Sequence, residues 1–314
     1  MKFGWSLPSR GPLARREAVR TLTQKAEELG FDSVWVSDHV VLPTQSRSQY
    51  PYDRSGAFPG GAEQDYLEPL ILLSYLAGCT ERIALGTSVL IIPYRNPIVT
   101  AKMLATLDVL SQGRLILGAG VGWWEEEFQA LGLDTYAERG ACTDEYLQIF
   151  RILWTQDDPH FEGKFFRFSQ IRFAPKPVQK PHIPIWIGGH SRAAIRRTAR
   201  LGDAWHPIGL RPPANLLPPE MADKIQELRR LAQEYGRDPQ EIAITFRCPL
   251  RFTDTADTTQ LPFTGTAAKI QEDIRTYQAL GVEHIVLDLT GDSLSERLED
   301  MERFASTVRP AFVT

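Results

Sequence analysis

The chain has 314 residues, 43 % hydrophobic and 24 % charged, which is enough to bury a sizeable core as one large domain or two ordinary ones. A net charge of -4 and a pI near 5.9 leave no dense basic surface for nucleic acid or an anionic membrane. The longest apolar run, Val89 to Ile92, is far shorter than the about 18 residues that suggest a membrane span.

The chain starts with "MKFGWSLP", without a signal-peptide core, and a cytoplasmic location is expected. Cys79, Cys142 and Cys248 are odd in number and widely spaced, so neither a disulfide framework nor a zinc site is expected. Along the chain one local pattern recurs: an amphipathic helix, a glycine, then an apolar run. "AEELGFDSVWV", "ARLGDAWHPIG" and "ALGVEHIVLDL" are its clearest copies. Glycine suits a helix C′ position, and a continuous apolar run suits a strand covered on both faces. The predicted strands are Lys2–Leu7, Ser33–Asp38, Ile83–Val89, Leu115–Ala119, Pro184–Gly188, Ala204–Ile208, Ile242–Pro249 and His284–Leu289. Between them lie helical periods such as Ala18, Leu22, Ala26, Leu29 and Ile270, Ile274, Tyr277. Eight strands alternating with helices predict an α/β protein with a (β/α)8 barrel; an open doubly wound sheet is the alternative. The whole of 1–314 reads as a single barrel domain.

Two insertions interrupt the repeat. Residues 42–66, "LPTQSRSQYPYDRSGAFPGGAEQDY", follow strand two, and their aromatics suggest a lid. Residues 155–183, after strand four, contain "HFEGKFFRFSQIRF", which reads as a β-hairpin outside the barrel, used for packing or subunit contact.

In such a barrel the C-terminal strand ends form the active-site face. Strand two ends in Asp38 and His39, strand three in Thr87 and Ser88, and strand six in His206. Gly118, Gly120 and Gly122 follow strand four, where they suggest close backbone approach to a flat ligand. After strand five, "IGGHSR" places Gly188 and Gly189 before a helix capped by Ser191, with Arg192 in its first turn. That is the pattern of a phosphate cradle.

Several barrel chemistries are excluded by what is missing. None of the eight lysines ends a predicted strand, so a Schiff-base aldolase is not expected. No His-x-His or Glu-x-x-His pair suggests a metal, and Glu125 to Glu127 fall on the next helix rather than as a facing glycosidase pair. A phosphate cradle, a glycine-lined wall and one Asp-His pair suggest a redox site whose cofactor supplies the reactivity.

The segments "ELGFDSVWVSDHVVLP", "TERIALGTSVLIIPYRNP", "ATLDVLSQGRLILGAGVGWWEEEFQALG" and "PKPVQKPHIPIWIGGHSRAAIRRTARLGDAWHPIG" resemble the bacterial luciferase-like superfamily. They are most similar to its probable coenzyme F420-dependent oxidoreductases. The resemblance runs to about Gly209. It implies a barrel, usually dimeric, with a flavin or deazaflavin at the C-terminal face. It also implies that Asp38 contacts the cofactor and that His39 faces the substrate. Ser88 and Val89 would form a bulge, often across a non-prolyl cis peptide. Gly120 would line the cofactor wall, and Gly188, Gly189, His190, Ser191 and Arg192 would hold the phosphate.

One departure stands out. The sugar-phosphate dehydrogenases of the superfamily carry a Glu right after the Gly-x-Gly of strand four, where this chain has Val121 and Gly122. The expected activity is hydride transfer between F420 and a small, apolar organic substrate. His39 would exchange the proton, since an imidazole titrates near working pH, and Asp38 would support its charged form. An FMN-dependent two-component monooxygenase and a non-catalytic flavin-binding protein are the alternatives.

Overall fold

In the computed structural model, which describes residues 1–254, 261–291 and 293–312, the apolar runs become eight parallel strands. These are β1 (Lys2–Ser6), β2 (Ser33–Val36), β3 (Ala84–Thr87), β4 (Leu115–Gly120), β5 (Ile185–Gly188), β6 (Ala204–His206), β7 (Ala243–Phe252) and β8 (Val282–Leu289). Neighbours pair in chain order, and β8 pairs back onto β1 from Lys2↔His284 to Ser6↔Asp288, which closes the barrel. The barrel expectation holds, and closure excludes the open sheet. Residues 255–260, 292 and 313–314 of the expected span 1–314 lie outside the described residues.

The surrounding helices are α1 (Arg16–Glu28), α2 (Pro69–Ala77), α3 (Pro97–Leu110), α4 (Glu125–Ala130), α5 (Arg139–Thr155), α6 (Arg192–Leu201), α7 (Pro218–Glu234), α8 (Ala267–Ala279) and α9 (Leu294–Thr307). Their apolar stripes face the sheet; in α1, Ala18, Leu22 and Ala26 share a buried face at helical spacing. Gly30, with φ +74°, ends that helix in the left-handed conformation and turns the chain into β2. No helix among the described residues is long and apolar enough to cross a membrane.

The barrel interior is unusually aromatic. Trp35 of β2 stacks on the His206 ring at 4.8 Å and lies 4.8 Å from Trp186. A Cβ on Gly86 would stand 2.3 Å from Trp35, so β3 needs glycine there. His284 shares a 2.8 Å hydrogen bond with Ser33 Oγ, which also accepts from Trp35 Nε1 at 2.7 Å. Burial lowers both His206 and His284 to about 3, so both rings are neutral parts of the core. His206, a strand-end candidate, is therefore structural: its two nitrogens face Ser88 Oγ (2.9 Å) and Thr245 Oγ1 (2.7 Å).

Several strand bounds differ from expectation: β2 ends at Val36 rather than Asp38, β6 at His206 rather than Ile208, and β8 begins at Val282 rather than His284, while two further differences have a clear cause. β3 stops at Thr87, whose Oγ1 donates to the Gly118 carbonyl, and the chain resumes pairing at Leu90–Ile91 beside β4. β7 runs past Pro249 because β8 continues beside it as far as Leu250↔Leu289, and its last two residues, Arg251 and Phe252, pair with Thr264 and Gly265. The 155–183 insertion does contain an antiparallel hairpin, Phe161–Glu162 with Arg167–Phe168. It packs on α5, where the Glu145 carboxylate accepts from the amides of Lys164, Phe165 and Phe166 at 2.6–2.9 Å.

Candidate functional site

His39 lies at the C-terminal mouth, just beyond β2, and is buried. Its Nδ1 is 2.5 Å from Glu127 Oε2 in the first turn of α4. The same oxygen accepts from the Tyr94 hydroxyl at 2.8 Å, while Oε1 accepts from the amides of Val40 (2.7 Å) and Val41 (3.3 Å). The Glu127 side chain is wholly buried, and its oxygens meet four N–H or O–H groups. A carboxylate so surrounded is an acceptor only, so the shared proton belongs to His39 Nδ1. That fixes the tautomer and leaves Nε2, which has no hydrogen-bond partner among the described residues, with its lone pair open. Burial, reinforced by the Glu127 charge, pushes the Tyr94 hydroxyl well above its ordinary value and keeps it a donor.

Sequence reading sets Glu125 to Glu127 aside as helix residues and pairs His39 with Asp38. The structure reverses this. Asp38 turns away from the imidazole and accepts from Arg95 Nη1 (2.7 Å), Arg95 Nη2 (2.8 Å) and the Ile91 amide (2.9 Å). Its side chain is fully buried with both oxygens engaged, so it offers no surface to a cofactor. It braces the segment after the β3 break, and Arg95 extends the brace to Glu68 at 2.9 Å. A signal for Glu127 was present: Trp124, Glu127, Phe128 and Leu131 share one helical face, and a lone carboxylate on an apolar stripe needs a buried partner.

Between β3 and β4 the Ser88–Val89 peptide is cis, as the resemblance implies. A Cβ on Gly118 would fall 1.8 Å from the Thr87 carbonyl, and one on Gly120 would fall 2.3 Å from Val89 Cγ2. On Gly188 it would meet Val89 Cγ1 at 2.7 Å. The glycines of "GAG" therefore admit the chain's own bulge, not the close approach of a flat ligand. Gly122 is likewise filled by Phe128.

The cradle segment has the expected backbone. Gly189 has φ +86°, and Ser191 Oγ caps α6 by accepting from the Ala194 amide at 3.2 Å. By position, the Arg192 and Ala193 amides at the start of α6 have no intrahelical acceptor. The Arg192 side chain is 77 % exposed and 3.6 Å from Glu227, a loose pair that leaves it available. His190 is half-buried beside them, its Nδ1 without a hydrogen-bond partner among the described residues. Burial lowers its titration below the usual histidine range. Left-handed glycine, amides without an intrahelical acceptor, a neutral imidazole and an exposed guanidinium fit a phosphate.

Residues 42–66 form no helix and fold over the mouth. Phe58 and Tyr66 set their rings 4.9 and 5.3 Å from His39, and Trp123 and Trp124 of the β4–α4 connection complete an aromatic wall. The far side of this loop is pinned to α4. Ser46 Oγ accepts from Trp124 Nε1 (2.9 Å), and Glu126 accepts from the Arg47 amide (2.6 Å) and Ser48 hydroxyl (2.7 Å). Burial alone would raise Glu126, but those hydrogen bonds bring it down to about 2, so the pin is ionised at neutral pH.

Comparison with known proteins supports the same fold. An uncharacterized protein of Mycobacterium tuberculosis is 34 % identical over 224 residues, covering 71 % of this chain and 74 % of its own. The FMNH(2)-dependent dimethylsulfone monooxygenase of Pseudomonas putida is 34 % identical over 164 residues, 51 % of this chain and 45 % of its own. The crystal structure of monooxygenase RslO1 from Streptomyces bottropensis superposes with a TM-score of 0.80 at 23 % identity, covering both chains in full. An F420-dependent secondary alcohol dehydrogenase superposes at 0.78 with 17 % identity, over 100 % of this chain and 99 % of its own; both likenesses show the fold. The family model described as luciferase-like monooxygenase matches residues 1–279, past the Gly209 limit of the motif resemblance, and the chain belongs to that family.

Proposed function

We propose that this member transfers a hydride between coenzyme F420 and a small organic substrate, with His39 exchanging the accompanying proton. The observation that carries this reading is the buried Glu127–His39 pair at the barrel mouth, on the same face as the segment from Gly188 to Arg192. The bound deazaflavin would supply the hydride chemistry. Gly188, Gly189, His190, Ser191 and Arg192 would hold its phosphate, and the Ser88–Val89 bulge would back its ring system. Glu127 holds the His39 ring so that Nε2 gives or takes the proton, and Tyr94 balances the carboxylate. Phe58, Tyr66, Trp123 and Trp124 keep water from the imidazole.

The test is a parallel titration of the purified protein with F420 and FMN. F420 is expected to bind at about micromolar affinity or better and FMN more weakly. The second reading, an FMN-dependent monooxygenase, draws on the Pseudomonas relative. Equal or tighter FMN binding together with oxygen-dependent turnover would establish it instead.

A homodimer is part of the proposal. Ile71 of α2 and Val99 and Leu110 of α3 are more than half exposed on adjacent helices, and residues 99 and 110 share a helix face. Sedimentation equilibrium is expected to give a dimer, and Leu110→Asp to shift it toward monomer. A monomeric parent protein would remove the idea.

A further inference from the structure

Beside the aromatic wall lies a second feature that hydride transfer alone does not use. A cavity of about 250 Å³ opens between the ends of β1 and β8 and the covering loop. Its walls carry Arg10, Arg211, Arg247 and Arg297, and one carboxylate, Asp288. Asp288 is shared: Arg247 Nε donates to Oδ1 at 2.8 Å and Arg211 Nη2 to Oδ2 at 2.7 Å. Burial would raise its carboxyl, but the two guanidinium groups bring it down to about 2. Arg247 is otherwise spent inside the barrel, on Ser88 O (2.6 Å), Ser88 Oγ (3.0 Å) and Ser6 Oγ (2.8 Å).

Arg10 and Arg211 are different. Arg10 Nη1 donates to the Pro59 carbonyl and to Gln64 Oε1, and its guanidinium sits 5.1 Å over Phe58. Its Nε and Nη2 have no partner among the described residues, nor have Arg211 Nε and Nη1. Arg10, Arg211 and Arg247 thus bring three positive charges against one negative. All three act on Tyr50, whose hydroxyl burial raises and these arginines pull back down. Such an excess of positive charge in a partly closed space attracts an anion, and vacant guanidinium donors suit a planar oxyanion.

We propose that this cavity is a subsite for an anionic oxygen group, a carboxylate or a phosphate, on the organic substrate. The idea rests on the preceding reading of the barrel mouth as the active site and narrows its substrate class to organic acids. Phe58 links the two regions, since the ring packed under Arg10 also packs against His39. An organic acid anchored at Arg10 and Arg211 would direct its apolar body toward the aromatic wall. The small apolar substrate expected from the sequence gives way to an amphipathic one.

The test is calorimetric titration of the cofactor-free 314-residue chain at low ionic strength with benzoate, phenyl phosphate and neutral benzamide. Benzoate or phenyl phosphate should bind and benzamide should not; whichever binds identifies carboxylate or phosphate as the group recognised. Arg10→Gln and Arg211→Gln should each weaken that binding by roughly tenfold or more. Arg10→Gln is the cleaner variant, because Arg10 is not bonded to Asp288. F420 and FMN affinity should be unchanged in it, which separates failure of this subsite from failure of the cofactor reading. Anion binding that survives both variants but is lost in Arg192→Ala would place the anion at the α6 cradle and overturn the proposal. So would binding of benzamide as tight as benzoate, no binding of either anion, or complete displacement of the anion by FMN.

Discussion

Glu127→Gln is expected to lower turnover by about 100-fold or more while leaving cofactor affinity nearly unchanged. That is the usual size of a general acid–base contribution. The amide that replaces the carboxylate can accept at only one end. It cannot serve His39 Nδ1 and the Tyr94 hydroxyl on one oxygen and the amides of Val40 and Val41 on the other. Either the imidazole loses its fixed tautomer or a backbone amide is left buried without an acceptor. His39→Ala should lose about as much, and the double variant little more than either single one, because the two groups act as a unit. The assay is oxidation of reduced F420 against a panel of enones, nitroaromatics and quinones, each with and without a carboxylate, with circular dichroism to count folded molecules. A readout free of any substrate is ¹⁵N NMR of the His39 ring, which should show a protonated Nδ1 in the parent and an exchanging mixture in Glu127→Gln. Full activity per folded molecule in both single variants would mean that the pair only fills space.

The second large effect concerns stability. Asp38→Ala leaves Arg95 buried and facing only Glu68, and strips the Ile91 amide of its acceptor. Breaking one side of a buried ion pair costs about 3 kcal/mol or more. For a chain of this size that lowers the melting temperature by roughly 5 °C. Cofactor affinity per folded molecule should change little, since the Asp38 carboxylate has no exposed surface. A variant with parental melting temperature and a large loss of cofactor affinity would restore the direct contact implied by the family resemblance.

These two carboxylates show where sequence reading succeeds and where it stops. Helix–glycine–strand repeats place Asp38 and His39 at a strand end because local period and punctuation set the order of a barrel. Which carboxylate faces the imidazole is a different kind of fact. It depends on the α4 helix starting at Glu125, so that Glu127 points inward, and on Arg95 reaching back from beyond the β3 break to claim Asp38. Both are contacts between residues more than fifty positions apart, and neighbouring in sequence made Asp38 look like the closer partner. The glycines misled in the same way: the sequence marks Gly118, Gly120 and Gly188 as places with no room for a side chain, but not what fills the room. The Gly189–Ser191 turn was fully legible, because its cap and left-handed residue are local. Arg10 and Arg211, about two hundred positions apart, carried no local sign of sharing a cavity.

The bulge packed into Gly118, Gly120 and Gly188 divides the mouth into parts of unequal plasticity. Any side chain at those three positions collides with backbone or with Val89, so the floor of the site tolerates almost no change of sequence. Much of the covering loop is held instead by separable side-chain bonds, such as those of Ser46 and Ser48, each replaceable without touching the barrel. A laboratory library meant to redirect this protein to new substrates therefore belongs in residues 42–66, where new shapes can be sampled while the strands keep the chemistry in register.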